Sequence, residues 1–132
     1  MSNNFLMDRR CFVCGADNPR GLCLDIVETE DGVTTVFDPP VWTQGYQGIV
    51  HGGIIAALLD EMAVWAAHKK GCKAATAEIS VRYKKSMRVG EKYRLCGRVT
   101  TLKKNLAIAD AEAWDPLGEL VAHAIVKLIR IE

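Results

Sequence analysis

The segment His51-Gly52-Gly53-Ile54-Ile55-Ala56-Ala57-Leu58-Leu59-Asp60-Glu61-Met62-Ala63-Val64-Trp65-Ala66-Ala67 decides how the chain folds. It is the one long helix-like segment, and its side chains are apolar almost all the way round. A helix without a polar face must be wrapped, so the segments before and after it have to supply the cover. Asp60 and Glu61 interrupt the apolar surface. They call for a specific explanation, because an ionised acid withdrawn from water is costly.

Downstream, Lys69 and Lys70 complement the negative end of the helix dipole and Gly71 stops the helix near Lys69. Ala75 to Ser86 then alternates, with Ile79, Val81 and Tyr83 on one side and Glu78, Ser80, Arg82 and Lys84 on the other, which predicts a strand with one buried face. Val89-Gly90-Glu91 turns the chain. Tyr93 to Leu102, Leu106 to Trp114 and Glu119 to Ile131 read as three more strands, separated by turns at Lys103-Lys104-Asn105 and Asp115-Pro116-Leu117-Gly118. Upstream, the alternation of Leu22, Leu24 and Ile26 as far as Glu28, the turn Glu30-Asp31-Gly32 and the β-branched run Val33 to Phe37 predict a hairpin. Asp38-Pro39-Pro40 ends it, and a glycine-rich loop from Trp42 to Gly48 leads back to His51. Residues 1–21, punctuated by Gly15, Pro19 and Gly21, form a polar lead-in.

The expected architecture is therefore α+β: two strands, one buried helix and four strands, in a single domain spanning residues 1–132. A sheet of six strands with one helix leaves a face or an edge uncovered, and self-association is the simplest cover. The 132 residues, 49% hydrophobic and 25% charged, suffice for one core, and a net charge of +1 offers no global field for nucleic acid or a membrane surface. The first ten residues lack the apolar core of a secretory signal. Five cysteines, an odd number at irregular spacing, read as reduced thiols, so a cytoplasmic location is expected.

Two positions on the helix carry chemical interest. Gly52 and Gly53 place unobstructed backbone N–H groups at its positive end, suited to a carbonyl oxygen that is becoming an oxyanion; close packing of the loop would use the same two residues. Asp60 and Glu61 point about 100° apart around the helix, so one can face a reactive site while the other is paired or solvated. Asp60 lies eight residues beyond Gly52, roughly 12 Å along the axis. If both act on one carbonyl, they must come from different subunits of a twofold dimer.

Tyr46-Gln47-Gly48-Ile49-Val50-His51-Gly52-Gly53-Ile54-Ile55-Ala56-Ala57-Leu58-Leu59-Asp60-Glu61 resembles the core motif of the hot-dog-fold acyl-CoA thioesterases. Within the 4-hydroxybenzoyl-CoA thioesterase superfamily it is most similar to the phenylacetate-pathway branch. The resemblance implies one long central helix wrapped by a curved antiparallel sheet of about six strands, in dimers that pair sheets edge to edge and often form tetramers. It implies hydrolysis of a thioester to a carboxylic acid and free coenzyme A. Gly52 would polarise the thioester carbonyl, and Asp60 of the partner subunit would act as general base or nucleophile, with Glu61 in its place if the register is off by one. His51 matches the motif histidine, which supports the loop or touches the thioester. Thr76 matches, through Val81-Arg82-Tyr83, a residue that helps place the attacking water. Six residues before the histidine, relatives often carry Asn or Gln; here the position is Gly45, and Gln44 or Gln47 could substitute.

Cys11-x-x-Cys14-Gly15-x-x-Asn18-Pro19-x-Gly21-Leu22 resembles the lead-in of one subgroup of the same enzymes. A structural metal needs four ligands and only Cys23 lies near in sequence, so neither metal nor cofactor is expected. Coenzyme A, as part of the substrate, would need cations, and Lys84, Lys85 and Arg88 form the densest basic cluster, although such clusters are commonly solvated strand ends. Trp42 and Tyr46 could line an acyl pocket or simply pack. The rival reading is a non-catalytic acyl-CoA-binding hot-dog module; a hydratase ranks behind both, because its differently spaced acid and histidine motif is absent.

Overall fold

The computed structural model describes residues 5–131; the first four residues of the lead-in lie outside it, as does residue 132. Strands β1 (Val27–Glu28) and β2 (Val33–Phe37) precede the single long helix α1 (Gly52–Lys69). After the helix come β3 (Ala74–Tyr83), β4 (Tyr93–Leu102), β5 (Leu106–Trp114) and β6 (Leu120–Arg130). All pairings are antiparallel, in the order β1-β2-β4-β5-β6-β3, so β1 and β3 form the two edges of one six-stranded sheet. This is the hot-dog fold, with the helix lying across the inner face of the sheet. No helix among the described residues is long and apolar enough to cross a membrane.

The helix reaches the sheet because the sheet's inner face is built from small residues. Ala107, Ala109, Ala111 and Ala113 alternate along β5, Ala122 and Ala124 continue the surface on β6, and all are fully buried. Against this floor α1 sets Leu58, Leu59, Met62, Ala63 and Ala66. Closest approach falls at Gly97 in β4, where an added Cβ would lie 2.5 Å from Met62 O and 2.8 Å from Met62 C. Both are backbone atoms, so Gly97→Ala must displace the helix. Overpacking of this kind costs about 1–3 kcal/mol. We expect a lower denaturation midpoint with an unchanged m-value; an unshifted midpoint would show that the helix seat is looser than described.

Three expectations need correction. The first strand is short: only Val27 and Glu28 pair with β2. The Leu22 and Leu24 amides instead donate to Phe12 O and Val13 O at 2.8 and 2.9 Å, and Cys23 between them sits at φ 52°, a left-handed conformation that interrupts an extended strand. The helix is not enclosed by its own chain. Ala57, Asp60, Glu61, Val64 and Trp65 form a half-exposed stripe opposite the buried face. Tyr83 is not buried with Ile79 and Val81; it is 50% exposed, at the end of the edge strand β3, although still paired with Ala122 of β6.

Candidate active site

His51 caps α1. Its Nδ1 accepts the Gly53 N–H at 2.8 Å, and its carbonyl accepts the Ile54 and Ile55 amides at 3.0 and 3.2 Å. Of the four N–H groups that the helix start leaves without a regular helical partner, Gly53 and Ile54 are thus satisfied by His51, and the His51 N–H donates to Thr43 O at 2.8 Å. The fourth, Gly52 N–H, has no partner among the described residues. The Tyr83 hydroxyl donates to Gly52 O at 2.7 Å and ties the helix start to the edge strand. Sequence reasoning missed this contact, because the alternation marked Tyr83 only as a core aromatic. Gly53, grouped with Gly52 from the sequence, has its N–H engaged by the histidine.

Asp60 faces β3. Thr76 Oγ1 donates to its Oδ1 at 2.5 Å. The alternation around Ile79 and Val81 would put an even-numbered Thr76 on the outer face with Glu78 and Ser80. A bulge between Thr76 and Glu78 reverses that parity. Thr76 pairs with the buried Leu128 and Ile79 with the buried Val126, so both lie on the helix side. The unpaired residue, Ala77, is what aims Thr76 at the helix. Burial raises the Asp60 pKa above its ordinary value; the Thr76 hydrogen bond opposes the rise and the Glu61 charge adds to it.

Glu61, 100° further round the helix, points to the lead-in. Its Oε2 accepts Trp65 Nε1–H at 3.0 Å and Cys11 Sγ–H at 3.4 Å. Cys14 stands beside it, and the ligand-type atoms of Cys11, Cys14 and Glu61 all lie within 4.8 Å of one another. Burial, reinforced by the Glu61 carboxylate, drives the Cys14 thiol strongly upward in pKa. The three residues share the wall of a cavity of about 660 Å³ with Trp65 and His68.

The other predicted positions are dispersed. Gln44 Oε1 accepts the Gly48 N–H at 2.9 Å, which braces the loop, and Gln47 is exposed. At Gly45 an added Cβ would lie 3.3 Å from His51 Cδ2, so the loop packs tightly on the capping histidine. Tyr46 is 87% exposed; Trp42, 54% exposed, meets Phe12 edge-to-face at 6.4 Å. Lys85 is held by Asp115 at 2.8 Å and Glu119 at 3.1 Å, whereas the exposed Lys84 and Arg88 side chains make no ion pair among the described residues.

A fold of this type, with a helix-start donor and a carboxylate on the uncovered helix face, defines a class. Residues 47–122 match the model of the thioesterase superfamily, and the chain belongs to that family. A search of the curated proteins finds no match. Among solved structures, a Streptococcus mutans protein bound to acetyl CoA is 26% identical, with a TM-score of 0.76, over 81% of this chain and 87% of that one. The E. coli PaaI protein from the phenylacetic acid degradation operon is 20% identical, with a TM-score of 0.78, over 84% and 81%. Zebra fish thioesterase superfamily member 2 is 20% identical, with a TM-score of 0.77, over 87% and 89%.

Proposed function

We propose that the protein is an acyl-CoA thioesterase that hydrolyses a thioester to a carboxylic acid and free coenzyme A, with each site shared between two subunits of a dimer. The observation that carries this reading is Asp60, held on the uncovered side of the helix by Thr76 at 2.5 Å in a chain of the thioesterase superfamily. The placement in the phenylacetate-pathway branch rests on the Tyr46–Glu61 motif.

In this mechanism the thioester carbonyl oxygen takes the unpartnered Gly52 N–H of one subunit. Asp60 of the other accepts a proton from water as the water oxygen bonds to the carbonyl carbon. The tetrahedral oxyanion then collapses, the carbon–sulfur bond breaks, and the departing thiolate takes up the proton that Asp60 holds. Burial suits Asp60 to the task, because it raises the basicity of a carboxylate that must remain ionised at neutral pH. Thr76 orients the carboxylate. Lys84 and Arg88, which make no ion pair among the described residues, would serve as cations for coenzyme A phosphates, and the half-exposed helix stripe would be the surface the second subunit covers.

Free-thiol release across short, medium, long and aryl acyl-CoAs tests the activity; tight binding with no turnover on any of them would replace hydrolysis by acyl-CoA sensing. Thr76→Val supplies a sharper check. Removing the hydroxyl removes the one contact that lowers the Asp60 pKa, so the acid limb of the kcat/KM profile should move to higher pH. An unmoved acid limb would detach Thr76 from the base.

A further inference from the structure

We propose that Cys11, Cys14 and Glu61 form a zinc site that fastens the lead-in to the middle of α1, with its fourth coordination position open to the adjoining cavity. The cysteine pair alone is too few ligands. The third is supplied by Glu61, fifty residues away in sequence and brought to the pair by the fold.

The geometry fits. Zinc bonds thiolate sulfur at about 2.3 Å and carboxylate oxygen at about 2.0–2.2 Å, so neighbouring ligand atoms of a tetrahedral site stand roughly 3.5–3.8 Å apart. Cys11 Sγ and Glu61 Oε2 are 3.4 Å apart, and the three ligand atoms fall within 4.8 Å of one another. Only small side-chain movements separate this arrangement from coordination. The turn is also built for close quarters. A Cβ on Gly15 would lie 2.4 Å from Cys11 N, and the Gly15 N–H closes the turn on Cys11 O at 2.9 Å. The buried Val13 anchors it, its carbonyl taking the Leu24 amide.

Glu61 is prepared in the same way. Trp65 Nε1–H holds Oε2 at 3.0 Å, the outer-shell contact that commonly orients a metal-binding carboxylate. No cation among the described residues pairs with Glu61. Among the described residues this half-buried carboxylate beside two thiols thus has no positive partner, and a divalent ion would supply one. Two thiolates with one carboxylate suit a borderline-soft ion such as zinc over magnesium or calcium. Binding turns two thiols and an ionised carboxylate into a zinc complex of net charge −1, in which the ion offsets two of the three ligand charges, and releases two protons. Glu61 as a ligand is unavailable as a base, so Asp60 is the one acid of the pair left to face the reactive side. The proposal itself does not rest on the thioesterase reading.

The test uses the full chain, stripped with a chelator and titrated with zinc or cobalt(II). Expected are one zinc per chain retained through gel filtration, about two protons released per zinc, and a cobalt adduct with thiolate charge-transfer and tetrahedral ligand-field absorption. Trp65→Phe should weaken zinc binding about 10–100-fold, and Cys11→Ser/Cys14→Ser should abolish it while acyl-CoA hydrolysis persists. Zinc content no higher in the wild type than in the double-serine variant would overturn the site, as would a Glu61→Gln variant binding zinc as tightly as the wild type. A cobalt spectrum without thiolate bands in the wild-type chain would do the same, whether or not any variant folds.

Discussion

Asp60→Asn is expected to lower kcat for acyl-CoA hydrolysis by about 10³-fold or more while leaving the folded protein as stable as before, or more so. The substitution keeps the shape and the acceptor oxygen for Thr76 but cannot take a proton from water. The stability expectation follows from linkage. The folded-state pKa of Asp60 is raised above the ordinary 3.8, chiefly by burial, so the folded chain binds that proton more tightly than the unfolded chain. Stability from this group is therefore greatest when it is protonated, and is lost as pH rises from 3.8 through the folded pKa. At neutral pH the wild type bears the whole cost of an ionised, half-buried carboxylate, and the asparagine variant does not. Thermal unfolding at pH 7 should give a melting temperature for Asp60→Asn equal to or above the wild type, with the gap closing toward pH 4. A variant that loses activity and also melts markedly lower would point to a structural role for Asp60. Undiminished turnover in Asp60→Asn would remove the residue from the reaction.

Such a trade between stability and activity is a common mark of groups kept for chemistry, and it bears on what the sequence could reveal. β4 and β5 were legible to the residue, and the helix close to its observed ends at Gly52 and Lys69, because periodicity and glycine or turn punctuation coincide there. The first strand was not. Alternation at Leu22, Leu24 and Ile26 marks which residues are buried, but gives no sign that Leu22 and Leu24 pair with the lead-in. The orientation of Thr76 was equally hidden, since period-two reading assumes an unbroken ladder and the bulge at Ala77 breaks it. From the residues alone Thr76 belongs to the outer face, and only the family resemblance gave it a part at the reactive site, in placing the attacking water.

The two acids show the same limit more sharply. Their angular separation on the helix said that they face different surroundings, but not which surroundings. β3 lies beside Asp60, and the lead-in, more than forty residues upstream, lies beside Glu61. Contacts of that kind depend on how distant segments close over the helix. A local spacing rule that counts metal ligands in the lead-in could not include an acid from the helix.

Gly52→Pro probes the other half of the proposed site, and the backbone there favours a clean experiment. Gly52 is the first residue of α1, the position where proline is best tolerated because its fixed φ suits a helix start and its missing N–H has no helical partner to lose. His51 stands at φ −59° and ψ 135°, in the extended region a following proline requires. A Cβ at Gly52 meets its nearest neighbour, Tyr83, at 3.6 Å, ordinary van der Waals contact. The substitution should thus delete the one donor of the helix start that has no partner among the described residues, with little damage to the fold. Loss of one oxyanion donor predicts a fall in kcat of about 10²–10³-fold, with secondary structure and melting temperature near those of the wild type. Gly52→Ala, which keeps the N–H, should retain most activity and separates the donor from the bare space of the glycine. If the sites are shared, Gly52→Pro and Asp60→Asn chains refolded together should recover activity that neither has alone. Random pairing of equal amounts makes half the dimers mixed, each with one intact site, so recovery should approach about a quarter of wild-type turnover. No recovery in a verified mixed dimer would confine donor and base to a single chain, which the roughly 12 Å between them along the helix axis makes geometrically unworkable for one carbonyl; the Gly52 donor would then have to be assigned elsewhere.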